Sequence, residues 1–297
     1  TTGCHIATVA TAARLGCFFA QLGLYIALLL PALLSMFAYW GWAAQGVIRT
    51  SYKKGGGIRH TCDVYLPAAS IDAMAQGKKP APTAPVVVLV AGGAWMIGHK
   101  GYVSMLCRAL RRAGFLCIAV DYRYWPQVGV DGMVEDSDAA AGWSLENCAQ
   151  YGGDPKRMIM VGLSSGAHIA ALLLARRAAS ELSSEADKSA GGPVMSWTCA
   201  DFRGFVGLGG VYHLDNAYMD FLYSKGIFKF LQHWVFGDTE EVRQSRSPAA
   251  LVRQQQGLAG RMPPMLLVHG TDDKIVPFGQ SEMFRSVLLA AGARDAR

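Results

Sequence analysis

A doubly wound α/β fold with a mostly parallel sheet is predicted by two patterns in this sequence of 297 residues. Short, unbroken apolar runs recur along the chain, as expected for strands that are buried on both faces. Segments with helical spacing separate these runs, and strands that alternate with helices form parallel sheets. The predicted strands are residues 58–66, 86–90, 115–120, 158–161, 202–208 and 265–268.

The segments between the strands complete the predicted architecture. Helices are predicted at residues 102–113, 133–149, 167–174 and 281–290. The Ala-, Pro- and Lys-rich stretch 70–85 and the polar stretch 178–193 are predicted to be surface loops, and the three glycines at 55–57 a linker.

Composition narrows the classes of partner and the compartment. The net charge of +6 is spread thinly, with no basic run longer than a pair, which argues against a nucleic-acid partner and leaves anionic lipid headgroups open. The seven cysteines are scattered, without a C-x-x-C pair, which argues against a disulfide framework or a zinc site and favours a reducing compartment. Because the first residue is Thr, we expect the natural start to lie further upstream.

The amino-terminal part is predicted to be a membrane-anchoring segment at residues 1–50, ahead of the α/β domain at residues 51–297. No charged residue occurs between Arg14 and Arg49, and residues 18–40 are long enough to cross a bilayer core of about 30 Å. A secretory signal peptide and an interfacial hairpin are the alternatives. Basic residues are more frequent after the span than before it, so the remainder of the chain is predicted to lie in the cytoplasm.

Two details of the span are predicted from residue type. Pro31 would kink the helix, which a membrane-spanning helix tolerates. Tyr39, Trp40 and Trp42 would form an aromatic belt at the membrane surface.

A nucleophilic serine is predicted at Ser164, in the pentapeptide Gly-Leu-Ser-Ser-Gly between a strand and a helix. In such a turn the central residue has a strained backbone, and the flanking residues Gly162 and Gly166 avoid collisions with the neighbouring strand and helix. The hydroxyl would lie at a helix amino terminus, where the dipole favours negative charge.

Two further parts of an acyl-transfer site follow other strands. Gly92, Gly93 and Ala94 come directly after the strand at 86–90, where small residues let backbone N–H groups approach a substrate oxygen; the N–H of Ser165 would join them in an oxyanion hole. Asp273 follows the strand at 265–268, and we prefer it to its neighbour Asp272 as the triad acid.

The chain resembles the α/β-hydrolases and, among them, the plant-type isoprenylcysteine α-carbonyl methylesterases. The resemblance covers most of residues 51–295, and the segments that carry it are AGGAWMIGHKGY, VDYRYWPQ, DGMVEDSDAA, YGGDPKRMIMVGLSSGAHIAA, FRGFVGLGGVYHL and HGTDDKIVP. It implies hydrolysis of the methyl ester of C-terminal prenylcysteine at endoplasmic-reticulum and Golgi membranes. Ser164 matches the family nucleophile, Asp273 the triad acid and Gly92, Gly93 and Ala94 the oxyanion loop, whereas Ala91 stands where many related esterases have histidine.

The triad histidine is the one large departure from this family. It would follow one more strand beyond the acid, and no histidine follows His269. We therefore expect the chain to lack its carboxy-terminal strand and helix, with a protein that never had the base as the less favoured alternative. His269 is interpreted as a structural hydrogen-bonding residue, His168 as a residue of the elbow helix, and neither His99 nor His213 as the base.

For the substrate, an apolar chain would be bound by Trp95, Met96 and Ile97 and by the aromatic-rich segment 218–236, half of which could be ordinary core. Glu135, Asp136 and Asp138 are interpreted as a solvated helix face and not as metal ligands, and no cofactor is expected. The alternative functions are a lipase-like or arylformamidase-like hydrolase and a non-catalytic binding protein with the same fold.

Overall fold

The computed structural model describes residues 30, 34, 36–43, 45–186, 196–226 and 229–297. Its strands are β1 Val47–Ser51, β2 Thr61–Tyr65, β3 Ala84–Val90, β4 Leu116–Val120, β5 Gly153–Leu163, β6 Phe202–Leu208 and β7 Met265–Val268. They form one seven-stranded sheet in the order β1-β2-β4-β3-β5-β6-β7. Strands β3 to β7 pair in parallel, and β2 pairs antiparallel with both β1 and β4.

The predicted α/β class and all six predicted strands are present in this sheet. Strand β1 was not predicted, because only two apolar residues mark it. It begins at Val47, ahead of the domain boundary predicted at residue 51. The three glycines at 55–57 lie in the turn of the β1–β2 hairpin, where Gly56 N–H donates to Lys53 O, so they are not an interdomain linker.

Helices cover the two faces of the sheet, and two of them correct the predicted loops. Helix α1, Ala68–Ala75, overlaps the start of the predicted loop 70–85, because Ile71 and Met74 are one turn apart and both pack against the core. Helix α4 continues to Ala186, through the first part of the predicted loop 178–193; residues 187–195 lie outside the described part of the chain. The helices are α1 Ala68–Ala75, α2 Ser104–Arg112, α3 Val130–Asn147, α4 Ser165–Ala186, α5 Asn216–Ser224, α6 Lys229–Phe236, α7 Glu240–Ser245, α8 Pro248–Gln254, α9 Leu258–Arg261 and α10 Gly279–Ala290.

Most of the predicted membrane span, residue 31 included, lies outside the described residues. Within the part that the structure covers, no helix combines the length and the apolar composition that a membrane crossing requires. The aromatic belt is corrected for two of its three members. Tyr39 is buried under the guanidinium of Arg108, and Trp40 Nε1–H donates to the buried Asp63 at 2.6 Å. Both rings therefore pack on the domain that contains the sheet.

The acidic face predicted for α3 is only partly solvated. Asp136 is completely buried, which contradicts the predicted solvated face at that position. It accepts hydrogen bonds from the Arg123 guanidinium at 2.8 Å and lies 3.0 Å from His60 Nε2. Burial alone would raise the pKa of Asp136, but the hydrogen bonds from Arg123 outweigh it and the pKa is lowered. Asp138 pairs with Arg177 on α4, and Glu135 is exposed.

The last three residues continue the sheet beyond β7. Met265 N–H donates to Asp295 O at 2.9 Å, and Leu267 N–H donates to Arg297 O at 2.8 Å. The bridge between Met265 and Ala296 is parallel. Residues 295–297 therefore extend the parallel order of the sheet by one more position.

Candidate active site

The turn from β5 to α4 holds Ser164 in the left-handed backbone region, with φ of 53°. A Cβ at Gly162 would lie 2.4 Å from Ala167 Cα, and one at Gly166 would lie 2.2 Å from Val90 O. Both approaches are to backbone, which cannot move aside as a flexible side chain can. The two glycines thus allow the strand and the helix to meet closely enough to force Ser164 into a strained conformation.

Hydrogen bonds fix this elbow at the carboxyl edge of the sheet. Ser164 N–H donates to Leu208 O at 2.8 Å, which ties the serine to the end of β6. Its carbonyl accepts from Ala167 N–H at 2.9 Å and so begins helix α4. The serine is half-buried, as a nucleophile that must meet a substrate requires.

The loop after β3 lies directly against the elbow. A Cβ at Gly92 would lie 2.4 Å from Leu163 O and 3.0 Å from Ser164 Cβ, so only glycine permits this approach. Gly93, Ala94 and Trp95 follow with φ of 142°, 49° and 61°. We call residues 92–98 the oxyanion loop.

Free backbone donors in this region suit a developing negative charge. The carbonyl of Gly93 accepts from the N–H groups of Met96 and Ile97, at 3.0 and 2.9 Å. Within the described residues, no backbone carbonyl accepts from the N–H groups of Gly93, Ala94 or Ser165. They belong to three of the four residues predicted for the oxyanion hole, the fourth being Gly92, and they remain available to a substrate oxygen.

Trp95 supports the oxyanion loop from within the protein. Its ring is buried and packs edge-on against Phe236, with ring centroids 4.7 Å apart, and against His168. Its Nε1–H donates to His168 Nδ1 at 3.0 Å. The predicted substrate contact therefore suits Ile97, which is exposed, and the half-buried Met96 better than Trp95.

His168 joins this tryptophan to the helical region that follows β6. Its Nε2 lies 2.7 Å from Arg246 O, so Nε2 carries the proton and Nδ1 accepts from Trp95. The ring is completely buried, and burial lowers its pKa to about 4. A neutral imidazole with both nitrogens occupied is a structural link and is not free to act as a base.

Arg59 holds the far end of the oxyanion loop. Its Nη1 donates to Gly98 O at 3.2 Å and pairs with Asp121 at the same distance. Burial raises the pKa of Asp121 to about 6, and the Arg59 charge opposes that rise. The hydroxyl of Tyr122 donates to Ala91 O at 2.7 Å, at the near end of the loop.

Asp273 lies at the same edge of the sheet, beyond the end of β7. Its Oδ1 accepts from the N–H groups of Ile275 and Val276, at 2.8 and 3.0 Å. Its Oδ2 would lie 3.6 Å from a Cβ at Gly209, the residue that follows β6. The elbow and this carboxylate therefore flank the end of β6. Asp272 is exposed and pairs with Lys274, so the geometry favours Asp273 as the acid.

His269 has the hydrogen-bonding environment expected of a structural residue. Its Nδ1 lies 2.7 Å from Ser281 Oγ and its Nε2 lies 2.9 Å from Val276 O. The same Nε2 is 3.5 Å from Asp273 Oδ2. The ring thus fixes the loop that carries Asp273.

His99 and His213, which were also considered as the base, make hydrogen bonds or ion pairs with residues close to them in sequence. His99 caps the turn before α2 by accepting from Gly101 N–H at 3.0 Å. His213 Nε2 lies 3.8 Å from Asp215, and burial lowers the pKa of both histidines. Among the described histidines, none hydrogen-bonds Ser164 Oγ. The predicted general base therefore remains unassigned within this part of the chain.

The residues that sequence reasoning missed are those that support the oxyanion loop. Arg59, Tyr122 and Phe236 are far from the loop in sequence, and no spacing links them to it. In the described residues no group of three or more His, Cys, Asp or Glu side chains could hold a metal ion.

Comparisons with known proteins agree with this fold. The BD-FAE family model matches residues 63–288. A probable isoprenylcysteine α-carbonyl methylesterase of Arabidopsis thaliana is 33% identical over 93% of this chain and 54% of its own length. A rice protein of the same description is 34% identical over 93% of this chain and 60% of its own length. The chain thus spans little more than half the length of these curated relatives.

More distant relatives are named as esterases. Esterase LipQ of Mycobacterium tuberculosis is 31% identical over 72% of this chain and 48% of its own length. The apo structure of Thermogutta terrifontis esterase 2 superimposes with a TM-score of 0.59, at 25% identity, over 85% of this chain and 82% of that one. Because the family model matches about three-quarters of the chain, these comparisons show that the chain belongs to the BD-FAE family of α/β-hydrolases.

Proposed function

We propose that this chain carries the catalytic domain of a serine carboxylesterase that hydrolyses the methyl ester of C-terminal isoprenylcysteine. One observation carries the proposal: Ser164, with φ of 53°, lies beside backbone N–H groups of the oxyanion loop that have no acceptor within the described residues. Strained backbone of this kind persists where the surrounding structure enforces it, and it is concentrated at catalytic sites.

The proposed reaction is an acyl transfer through Ser164. A general base takes the Ser164 proton, and Oγ attacks the ester carbonyl to form a tetrahedral intermediate. The N–H groups of Gly93, Ala94 and Ser165 donate to its oxyanion. Methanol leaves with the proton from the base, and water then attacks the acyl-enzyme to release the free carboxylate. Asp273 holds and charge-stabilises the base.

The substrate class is suggested by the relatives and by the apolar surroundings of the loop. Several relatives at 30–34% identity are described as isoprenylcysteine α-carbonyl methylesterases. An isoprenyl chain needs apolar contacts, and Ile97 is exposed beside the oxyanion loop. Trp234 is also exposed and lies edge-on to Trp125, with centroids 6.2 Å apart. The backbone N–H of Trp125 donates to Trp95 O, which places the Trp125–Trp234 pair next to the oxyanion loop.

Association with membrane lipid, at the endoplasmic reticulum or Golgi with the catalytic domain in the cytoplasm, belongs to the same proposal. Its support is the uncharged stretch between Arg14 and Arg49, together with a substrate that is itself lipid-modified. Membrane fractionation of the full-length protein tests it. Recovery of the protein in the soluble fraction would contradict it.

A non-catalytic binding protein is the second candidate, because no described histidine hydrogen-bonds Ser164. Substitution of the nucleophile separates the two. In the full-length protein, Ser164→Ala should lower esterase activity on the order of 10⁴-fold, as loss of a triad member does. A fluorophosphonate probe should label the parent and leave the variant unlabelled. Labelling of a different serine, or no activity in the parent, would refute the esterase.

The acid is tested by a matched pair of neighbours. Asp273→Asn should lower kcat by about 10⁴-fold, because an amide cannot orient and stabilise the protonated base. Asp272→Asn removes an equal charge from an exposed side chain and should leave kcat unchanged. Equal effects of the two changes would remove Asp273 from the triad.

Substrate class is tested with a farnesylcysteine methyl ester and a short-chain aryl ester. The proposal requires a higher kcat/KM for the prenylated ester, since burial of the isoprenoid supplies binding free energy. Preference for the short ester would keep the esterase and overturn the prenylcysteine assignment.

A further inference from the structure

The segment before β1 presents an apolar face to solvent while its other face packs on the catalytic domain. Residues 34 and 36–38 are helical. Leu34 is 60% exposed and Phe37 43% exposed, and their spacing of three places them on one side of a helix. Met36 and Tyr39 are buried on the other side. The exposed face is thus the opposite of what a solvated surface helix shows.

Specific contacts hold this segment in place on the domain. Trp40 Nε1–H donates to Asp63, which is buried on β2 and also pairs with Lys100 at 2.7 Å. The guanidinium of Arg49 lies 4.4 Å from the Trp40 ring centroid. The exposed apolar face therefore has a fixed orientation relative to the sheet.

Helix α2 continues the same surface. Phe37 packs edge-on against Tyr102, with centroids 6.4 Å apart, and Tyr102 is one turn before Met105. Met105 is 40% exposed, and the half-buried Arg108 and the exposed Arg112 follow it at the spacing of one helix face. We call Leu34, Phe37, Met105, Arg108 and Arg112 the α2 surface.

The charge of the α2 surface is not balanced locally. In the described part of the chain, no carboxylate forms an ion pair with Arg108, Arg111 or Arg112. Arg108 lies over the Tyr39 ring and Arg111 donates to Gln45 O. Exposed apolar side chains beside arginines form the pattern with which peripheral proteins enter an anionic lipid surface.

We propose that the α2 surface docks on a bilayer that contains anionic phospholipid. Leu34, Phe37 and Met105 enter the region between headgroups and acyl chains, and Arg108 and Arg112 bind the headgroups. Leu34 and Phe37 themselves belong to the uncharged stretch of sequence between Arg14 and Arg49, which favours lipid over an acidic protein as the occupant. This inference deepens the membrane association in the proposed function and uses none of the catalytic residues.

The test is flotation of the full-length protein with vesicles of phosphatidylcholine alone and of phosphatidylcholine mixed with phosphatidylserine. Arg108→Gln/Arg112→Gln should bind the mixed vesicles more weakly by at least about tenfold. Arg112→Gln alone keeps the Tyr39 contact and should bind about fivefold more weakly. Salt should weaken the parent and reduce both differences. Leu34→Ser should weaken binding to both kinds of vesicle.

Arg253→Gln/Arg285→Gln is the matched control, because it removes two exposed arginines elsewhere on the domain. It should bind both vesicles as the parent does. Equal binding by the parent and the Arg108→Gln/Arg112→Gln variant would overturn the proposal, as would an equal loss in the control. A difference seen with an acidic protein and not with mixed vesicles would also overturn it. Hydrolysis of a soluble ester, measured in parallel, reports separately on the esterase.

Discussion

The elbow and the oxyanion loop lie against each other, yet different forces hold them. At the elbow, Gly162 and Gly166 let backbone approach backbone, and the strain on Ser164 follows from residues within the same strand–turn–helix unit and its neighbouring strand. The oxyanion loop has two left-handed non-glycine residues, Ala94 and Trp95, and depends on side chains from distant parts of the chain. The candidate site thus combines a serine whose conformation is set by its neighbours in sequence with backbone donors that are supported by distant side chains.

The largest effect should come from a methyl group at the elbow. In Gly166→Ala the new Cβ would lie 2.2 Å from Val90 O and 2.6 Å from Ala91 O, so strand and helix must separate. We expect a loss of about 3 kcal/mol or more in the free energy of unfolding and loss of esterase activity. Gly279→Ala is the control, because a Cβ there meets nothing within 4 Å. A stable, active Gly166→Ala protein would contradict the elbow geometry.

The pH dependence of stability should reveal the His168 link. Its pKa is lowered from 6.5 to about 4 in the folded protein, so the unfolded chain binds more protons between these values. The stabilisation is therefore complete above pH 6.5 and is lost as pH falls towards 4, by at most about 3 kcal/mol. Denaturant unfolding of the parent and His168→Gln across this range measures it. The variant should show the shallower dependence, and parallel curves would contradict the buried neutral imidazole.

A smaller effect is expected at the far end of the oxyanion loop. Arg59→Gln removes the donor to Gly98 O and leaves Asp121 buried without its cation. Because Arg59 is about one-third exposed, we expect a loss of about 2 kcal/mol, with lower kcat and little change in KM. Arg285→Gln should change neither. An unchanged kcat in Arg59→Gln would show that the loop does not need this clamp.

The smallest effect should come from one hydrogen bond within the loop. Trp95→Phe retains a ring against Phe236 and deletes the N–H that donates to His168. We expect a loss of about 1 kcal/mol in stability and a modest decrease in kcat. Combining Trp95→Phe with Arg59→Gln in a double-mutant cycle sharpens the comparison. Coupling between the two would show that the loop moves as one unit, and strict additivity would show independent supports.

The sequence by itself predicted the α/β class and the six strands, which the sheet confirms, and it placed Ser164 and Gly92 to Ala94 directly after two of those strands. The catalytic roles of these residues stay predictions. These features depend on unbroken apolar runs and on glycine sterics, which act over a few neighbouring residues. The preference for Asp273 over Asp272 also came from sequence, through the position of an acid after a late strand.

Tertiary structure alone decided what surrounds those residues. It buried Asp136 with Arg123 and His60, turned Tyr39 and Trp40 onto the domain, and placed Arg59 and His168 on the oxyanion loop. A charged or aromatic side chain looks the same in sequence whether it is solvated or paired, because its partner is brought near only by the fold. Neighbouring residues therefore account for the serine turn and the glycines of the candidate site, whereas the side chains that hold them come from distant parts of the chain.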